Sequence, residues 1–249
     1  MSHSESSVQL ASTAAEFMET VVRLRPRVAV FDCDGTLWDG DSGAQFFYWE
    51  LAHGLLPEAV ARAAQPRYRD YLAGKVGEEE MCGEMVAFHE GMSIARLREA
   101  AEQFFREKFL SLIFPEMREL TLRLRGEGCA VWAVSSTNDW VVAAGTRRFG
   151  IPEEQILAAC VHTRDGIATG RLCRVPTDEG KAVAIRQAIK GPVDVAFGNS
   201  MHDAAMLALA GHPFAVNPNP DLLELAQQNG WNVYFPLGNA GGADGAARP

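Results

Sequence analysis

Val28-Ala29-Val30-Phe31-Asp32-Cys33-Asp34-Gly35-Thr36-Leu37 is the stretch from which the rest of the chain can be read. Its first four residues are apolar, two of them β-branched, and predict a short strand buried on both faces. Asp is a poor strand residue, so two of them at a strand's C-terminal end call for a reason. A period of two puts the Asp32 and Asp34 side chains on one side and turns Cys33 the other way, as a small core residue. Gly35 supplies the turn that ends the run. In an open parallel sheet the C-terminal strand ends form the binding crevice, where two carboxylates can share a cation or divide acid and base work. The plain alternative is a surface turn at Asp34-Gly35 behind a solvated strand end.

The 249 residues suffice for a sizeable core, and 47% hydrophobic with 22% charged content is that of an ordinary globular protein. A net charge of −9 argues against nucleic acid or an anionic membrane as partner. Five scattered cysteines, with no C-x-x-C pair, indicate neither a zinc site nor a disulfide framework. Cys160 and Cys173 are expected as free thiols facing each other in a reducing compartment. The polar start lacks a secretory pattern and no apolar run reaches spanning length, so a cytoplasmic location is expected. Either a monomer or a homodimer fits this composition.

Around the opening strand the pattern alternates strand and helix. Apolar spacing from Val8 to Leu24 predicts an amphipathic helix. Further buried strands are expected at 129–134, 156–161, 193–197, 214–216 and 231–235. Residues 138–149 and 221–229 read as helices, and turns at Asp165-Gly166 and Gly170 suggest a small hairpin. Thr177-Asp178 caps a helix whose first turn holds Lys181. Between the first two strands, residues 43–113 carry only helical pattern, including a helix behind Ser93. The expected architecture is therefore α/β: a Rossmann-like parallel sheet with helices on both faces, formed by 1–42 and 114–237. A helical cap is inserted after the first strand, and 238–249 form a disordered tail.

Four polar clusters gather at one sheet edge: Asp32 and Asp34, Ser135 after the second strand, Lys181, and Asn199 with Asp203 after the fourth. Carboxylates there can hold Mg²⁺, a hydroxyl and a lysine can hold phosphoryl oxygens, and helix-start N–H groups can bind others. Gly35, Thr36 and Ser136 are further candidates for phosphate contacts. One Asp can attack a phosphoryl centre while the other handles the proton.

Asp32-Cys33-Asp34-Gly35-Thr36-Leu37, Ser135, Lys181 and Gly198-Asn199-Ser200-Met201-His202-Asp203 together resemble the four ordered motifs of the haloacid dehalogenase superfamily. The helical insert resembles the cap of its phosphoserine phosphatase-like members, as does the return Ala215-Val216-Asn217-Pro218. The resemblance implies a phosphatase in which Asp32 becomes an aspartyl-phosphate and Asp34 is the general acid and base. It implies Mg²⁺ on the Asp32 carboxylate and the Asp34 main-chain carbonyl, and a phosphoryl group held by Ser135 and Lys181. One position departs: the first acidic place of the fourth motif is Asn199. The loss of one charge predicts weaker Mg²⁺ binding, with Asp203 carrying more of the second cluster.

The same resemblance places Asp41 where phosphoserine phosphatases contact a substrate amine, so an amine-bearing phosphomonoester is expected, phosphoserine first. Arg62, Arg67 and Arg69 are candidates for a substrate carboxylate, with Arg67 preferred. Phe46 to Trp49, Phe47 above all, could face a quaternary ammonium such as that of phosphocholine, although an aromatic core is the plainer reading. His202 is a candidate for the leaving group. From another class, a phosphate-ester binding protein with weakened catalysis would be consistent with Asn199.

Overall fold

The computed structural model describes residues 13–236. Thr13 caps the first helix, α1 (Ala14–Arg23), by accepting from the Glu16 N–H. Val8 and Leu10, expected at its start, lie outside the described residues, as does the expected tail at 238–249. Phe17 and Val21, one turn apart, are turned inward, and Phe17 stacks on Tyr234 with ring centroids 4.0 Å apart.

β1 (Val28–Phe31) is followed by four helices: α2 (Ser42–Ala52), α3 (Glu58–Leu72), α4 (Glu78–Ala87) and α5 (Ile94–Lys108). The chain then alternates through α6 (Pro115–Gly126), β2 (Ala130–Asn138), α7 (Asp139–Thr146), β3 (Ile156–Arg164), β4 (Ile167–Arg174) and α8 (Glu179–Ala188). It continues with β5 (Val193–Gly198), α9 (Ala204–Leu207), β6 (Ala210–Val216), α10 (Pro220–Asn229) and β7 (Asn232–Tyr234). The strands form one sheet in the order β4-β3-β2-β1-β5-β6-β7, parallel except for the β3/β4 hairpin. This is the expected α/β class.

β1 lies at the centre, with Ala29, Val30 and Phe31 fully buried. Phe31 pairs with Ala133 of β2 and with Phe197 of β5. That register brings Asp32, Ser135 and Asn199 to nearly the same height at the C-terminal edge. β1 is also where the chain switches from one half of the sheet to the other, the position at which such sheets open a crevice. The helical segment is joined to the hairpin by backbone hydrogen bonds from Gly91 N to Ala168 O, Ala168 N to Met92 O and Ile94 N to Gly166 O.

Several expectations need correction. β2 runs four residues past 134, because Ser135 to Asn138 remain extended. β3 and β6 are also longer than expected, and the last strand is shorter. Cys160 and Cys173 form a disulfide, with Cα atoms 5.6 Å apart. The hairpin sets them face to face as expected; what fails is the free-thiol expectation, which rested on an inferred reducing compartment. Ser93 does precede α5, but its side chain makes no capping bond.

Trp38 packs edge-on against Phe105 at 5.1 Å between centroids, and α7 closes over both. A Cβ on Gly145 would fall 2.6 Å from Phe105 Cε2 and 2.7 Å from the Trp38 ring. Gly145→Ala is therefore expected to lower stability in urea unfolding by about 1–3 kcal/mol, the range for overpacking a tight core. A variant as stable as the parent would mean that α7 can retreat without cost.

Candidate active site

At the sheet's C-terminal edge the Lys181 ammonium lies 2.7 Å from Asp32 Oδ1 and 2.5 Å from Asp203 Oδ1, with all three residues buried. Lys181 reaches this point from the first turn of α8, which begins behind Asp178 at a positive φ of 49°. Burial would lower the Lys181 pKa, but Asp203 and Asp32 outweigh it and hold the amine above its usual range. Burial, and then the Asp203 charge, push Asp32 upward against the pull of Lys181. Thr36 Oγ1 donates to Asp32 Oδ2 at 3.1 Å. Thr36 is fully buried and absent from the cavity wall, so it positions Asp32 and is not the phosphate contact expected of it.

Asp34 is held by three donors. Its Oδ1 accepts from Trp38 Nε1 at 2.6 Å and from the Ser42 N–H at 2.8 Å, and its Oδ2 accepts from Thr137 Oγ1 at 2.9 Å. The two N–H groups can only donate, which fixes Oδ1 as an acceptor. A hydroxyl can donate or accept, so Thr137 can stay bound whether or not Oδ2 carries a proton. Trp38, Ser42 and Thr137 were not singled out as site residues from sequence. Thr137 does not cap the helix that follows; Asn138 does, accepting from the Val141 N–H. Only the run of polar residues at the end of β2 hinted at such a role.

Ser135 is buried on the cavity floor, and its Oγ accepts from the Thr137 N–H at 3.1 Å, so its own O–H is directed elsewhere. Gly35 lines the cavity at φ +76°, where a Cβ would sit 2.0 Å from the Asn199 amide nitrogen. Its N–H is bonded to the Trp38 carbonyl, so Gly35 closes the turn and its expected phosphate contact is not made through that group. The Asn217 amide donates to the Gly35 carbonyl at 3.4 Å, and Asn219 N donates to Asn199 O at 2.8 Å. The Asn-Pro-Asn loop thereby braces both turns.

Asp203 is fully buried and off the cavity wall; its Oδ2 accepts from the Asn199 and Ser200 N–H groups at 2.9 and 3.0 Å. The expectation that it compensates for Asn199 as a metal ligand is therefore corrected: it orients Lys181 and the Asn199 loop. Asp32, the Asp34 carbonyl and the Asn199 amide remain as hard oxygen donors, with Asp32, Asp34 and Asn199 all on the wall. Among the described residues no group of three or more His, Cys, Asp or Glu side chains could hold a metal alone. A sparse oxygen set suits Mg²⁺, which keeps waters and takes one or two carboxylates with substrate phosphate. Three carboxylates against one ammonium also leave room for a further positive charge.

A cavity of about 620 Å³ rises from this floor to the helical segment, whose wall includes Tyr68, Tyr71, Glu78, Met81, Cys82 and Met85. These residues carry no motif and escaped sequence reasoning. Asp41 lines the cavity and caps α2 through the Ala44 N–H; although its surface is open to solvent, partial desolvation among the packed cavity walls, then Asp34 and Glu78, push its pKa up to about 6. Ser136 and His202 also line the cavity, with His202 Nδ1 2.7 Å from Asp178 Oδ1. Two expectations fail. Arg67 is bonded to Glu80 and Glu84 and does not face the cavity; Arg62 pairs with Glu58. Phe47 is buried against Tyr68, with centroids 4.8 Å apart, as aromatic core.

The haloacid dehalogenase-like hydrolase family matches residues 29–208. Phosphoserine phosphatase SerB1 of Mycobacterium tuberculosis is 31% identical over 215 residues, covering 82% of this chain and 69% of that protein. A histidinol-phosphatase of Neisseria meningitidis is 29% identical over 217 residues, covering 83% and 97%. The crystal structure of a Bordetella pertussis protein of unknown function superimposes with a TM-score of 0.74 at 27% identity, covering 84% and 97%. A substrate-bound phosphoserine phosphatase structure shares the fold, with a TM-score of 0.54 at 18% identity, covering 84% and 92%. The chain belongs to the haloacid dehalogenase-like hydrolases, as one of their phosphatase-type enzymes.

Because Asp41 is raised toward 6 from an ordinary value near 3.8, ionising it opposes folding. Asp41→Asn keeps the cap and removes that charge. The variant is expected to melt above the parent at pH 7–8, with the difference shrinking as pH falls through 6 and vanishing below about 4. A pH-independent difference in Tm would contradict this assignment.

Proposed function

We propose that this enzyme hydrolyses a small, amine-bearing phosphomonoester through an aspartyl-phosphate on Asp32, with Mg²⁺ as its cofactor. The observation that carries the reading is Asp32, Asp34, Ser135 and Lys181 converging on the floor of one cavity. Bound at Asp32, the Asp34 carbonyl and Asn199, the metal would neutralise charge on the phosphoryl oxygens.

The rest belongs to the chain's own groups. Lys181 and the Ser135 hydroxyl hold phosphoryl oxygens while Lys181 and Thr36 fix the attacking carboxylate. An Asp32 oxygen forms the new bond to phosphorus as the bond to the alcohol oxygen breaks. Asp34, protonated on Oδ2, gives its proton to that departing oxygen. In the second half Asp34 takes a proton from water, the water oxygen bonds to phosphorus, and the Asp32 carboxylate is released. Residues 43–113 act as the cap that excludes bulk water and selects the alcohol.

The phosphoserine expectation changes in one respect. With Arg67 paired elsewhere, the lining holds no arginine, and its only lysine is the catalytic one, so an amine without a carboxylate is favoured. The histidinol-phosphatase relative supports including such an ester among the candidates.

Phosphate release should be measured over phosphoserine, phosphoethanolamine, phosphocholine, histidinol phosphate and glycerol phosphate, with and without Mg²⁺. Turnover is expected to require Mg²⁺ and to disappear in Asp32→Asn; release that survives that change would reject the mechanism. Binding of these esters without any turnover would support the weakened binding-protein alternative instead. Thr137→Val should lower kcat roughly tenfold, a fraction of the 10²–10⁴ supplied by general acid–base catalysis, with little change in KM. A change confined to KM would place Thr137 in binding.

A further inference from the structure

α4 begins with Glu78-Glu79-Glu80, and the three side chains have different surroundings. Glu79 is exposed and Glu80 bonds to Arg67, so both already complement the helix N-terminus. Glu78 instead lines the catalytic cavity. Its partners are the Tyr71 hydroxyl and the Cys82 thiol, the latter at 3.5 Å, both neutral donors. Among the described residues it forms no ion pair. Met81, Met85 and Val86 line the same cavity, so a cation entering it would meet in Glu78 a carboxylate bonded to neutral donors.

Asp41 and Glu78 stand at two levels. Asp41 opens α2, a few residues beyond the catalytic loop, and feels the Asp34 charge more strongly than that of Glu78. Glu78 belongs to the helical wall above. The Tyr68 and Tyr71 rings, centroids 5.7 Å apart, add aromatic faces to the same cavity. Of the cations available, Lys181 is engaged with Asp32 and Asp203, and His202 is beside Asp178. A cavity of about 620 Å³ is also roomier than an ethanolamine ester needs.

We propose that Glu78 is a specificity-determining residue which, with Asp41, selects phosphomonoesters whose alcohol carries two basic nitrogens and no carboxylate. Asp41 takes the nitrogen nearer the ester and Glu78 the farther one. The proposal rests on the phosphomonoesterase reading above and adds the second nitrogen to it.

The test compares histidinol phosphate (two basic nitrogens), phosphoethanolamine (one) and glycerol phosphate (none) in the parent and in Glu78→Gln. The expected result is a loss of about tenfold in kcat/KM for histidinol phosphate, expressed in KM, the scale of one charge-assisted hydrogen bond. Phosphoethanolamine and glycerol phosphate should change less than about twofold, and inhibition by inorganic phosphate should not change. An equal loss on all three esters would make Glu78 merely structural, and an unchanged KM for histidinol phosphate would remove it from the subsite. If the parent releases phosphate from no ester, the phosphatase reading fails, and calorimetry with Asp32→Asn then decides the subsite separately. Binding of histidinol phosphate at least about tenfold tighter than phosphoethanolamine, lost on adding Glu78→Gln, sustains the proposal; equal affinities overturn it.

Discussion

The Lys181 ammonium, enclosed between Asp32 and Asp203, ties together three parts of the chain that are far apart in sequence: the end of β1, the first turn of α8 and the loop after β5. Taking three charges out of water carries a desolvation cost of several kcal/mol per ion, which the attraction offsets only when every remaining donor and acceptor is used. Most are used here: Asp203 also accepts from Asn199 and Ser200, and Asp32 from Thr36. The contact that assembles this edge of the sheet is therefore the contact that aims the Asp32 carboxylate into the cavity. Removing the Lys181 charge leaves two buried carboxylates uncompensated, so stability and chemistry are coupled at this point.

A second layer of order surrounds Asp34. Two N–H donors on one oxygen and a hydroxyl on the other make the oxygens inequivalent, and only the hydroxyl side tolerates a change of protonation. Trp38 is available for this because it is packed by Phe105 and by a helix that carries Gly145 where a larger residue would collide. The position of a proton in the site is thus referred back to ring packing on the far side of the loop.

Much of this was legible in the sequence, for a physical reason. Strand β1 had to be apolar on both faces, and polar residues at strand ends have few places to go, so Asp32, Asp34, Ser135, Lys181 and Asn199 could be brought to one edge from pattern and order. What escaped depends on pairing between distant segments. Arg67 lies on a long side chain that binds whichever glutamate the topology supplies, and α4 supplied Glu80 and Glu84. Cys160 and Cys173 were legible as facing residues of the hairpin, but not as a bonded pair. Trp38, Thr137, Tyr71 and Glu78 have ordinary structural readings as isolated residues, and only the cavity gives them another.

The charge balance explains why the two halves of the cavity differ. A phosphate dianion approaching a protein of net charge −9 meets repulsion until it reaches the Lys181 ammonium. Asp41 and Glu78 on the way in increase that repulsion for a purely anionic ester. An ester carrying cationic nitrogens approaches with its charge already reduced, and its nitrogens gain from the acids that repel the phosphate. The same carboxylates therefore raise the barrier for one class of ester and lower it for the other. Discrimination of this kind acts at encounter as well as in the bound state, and it requires no clash with the rejected substrate.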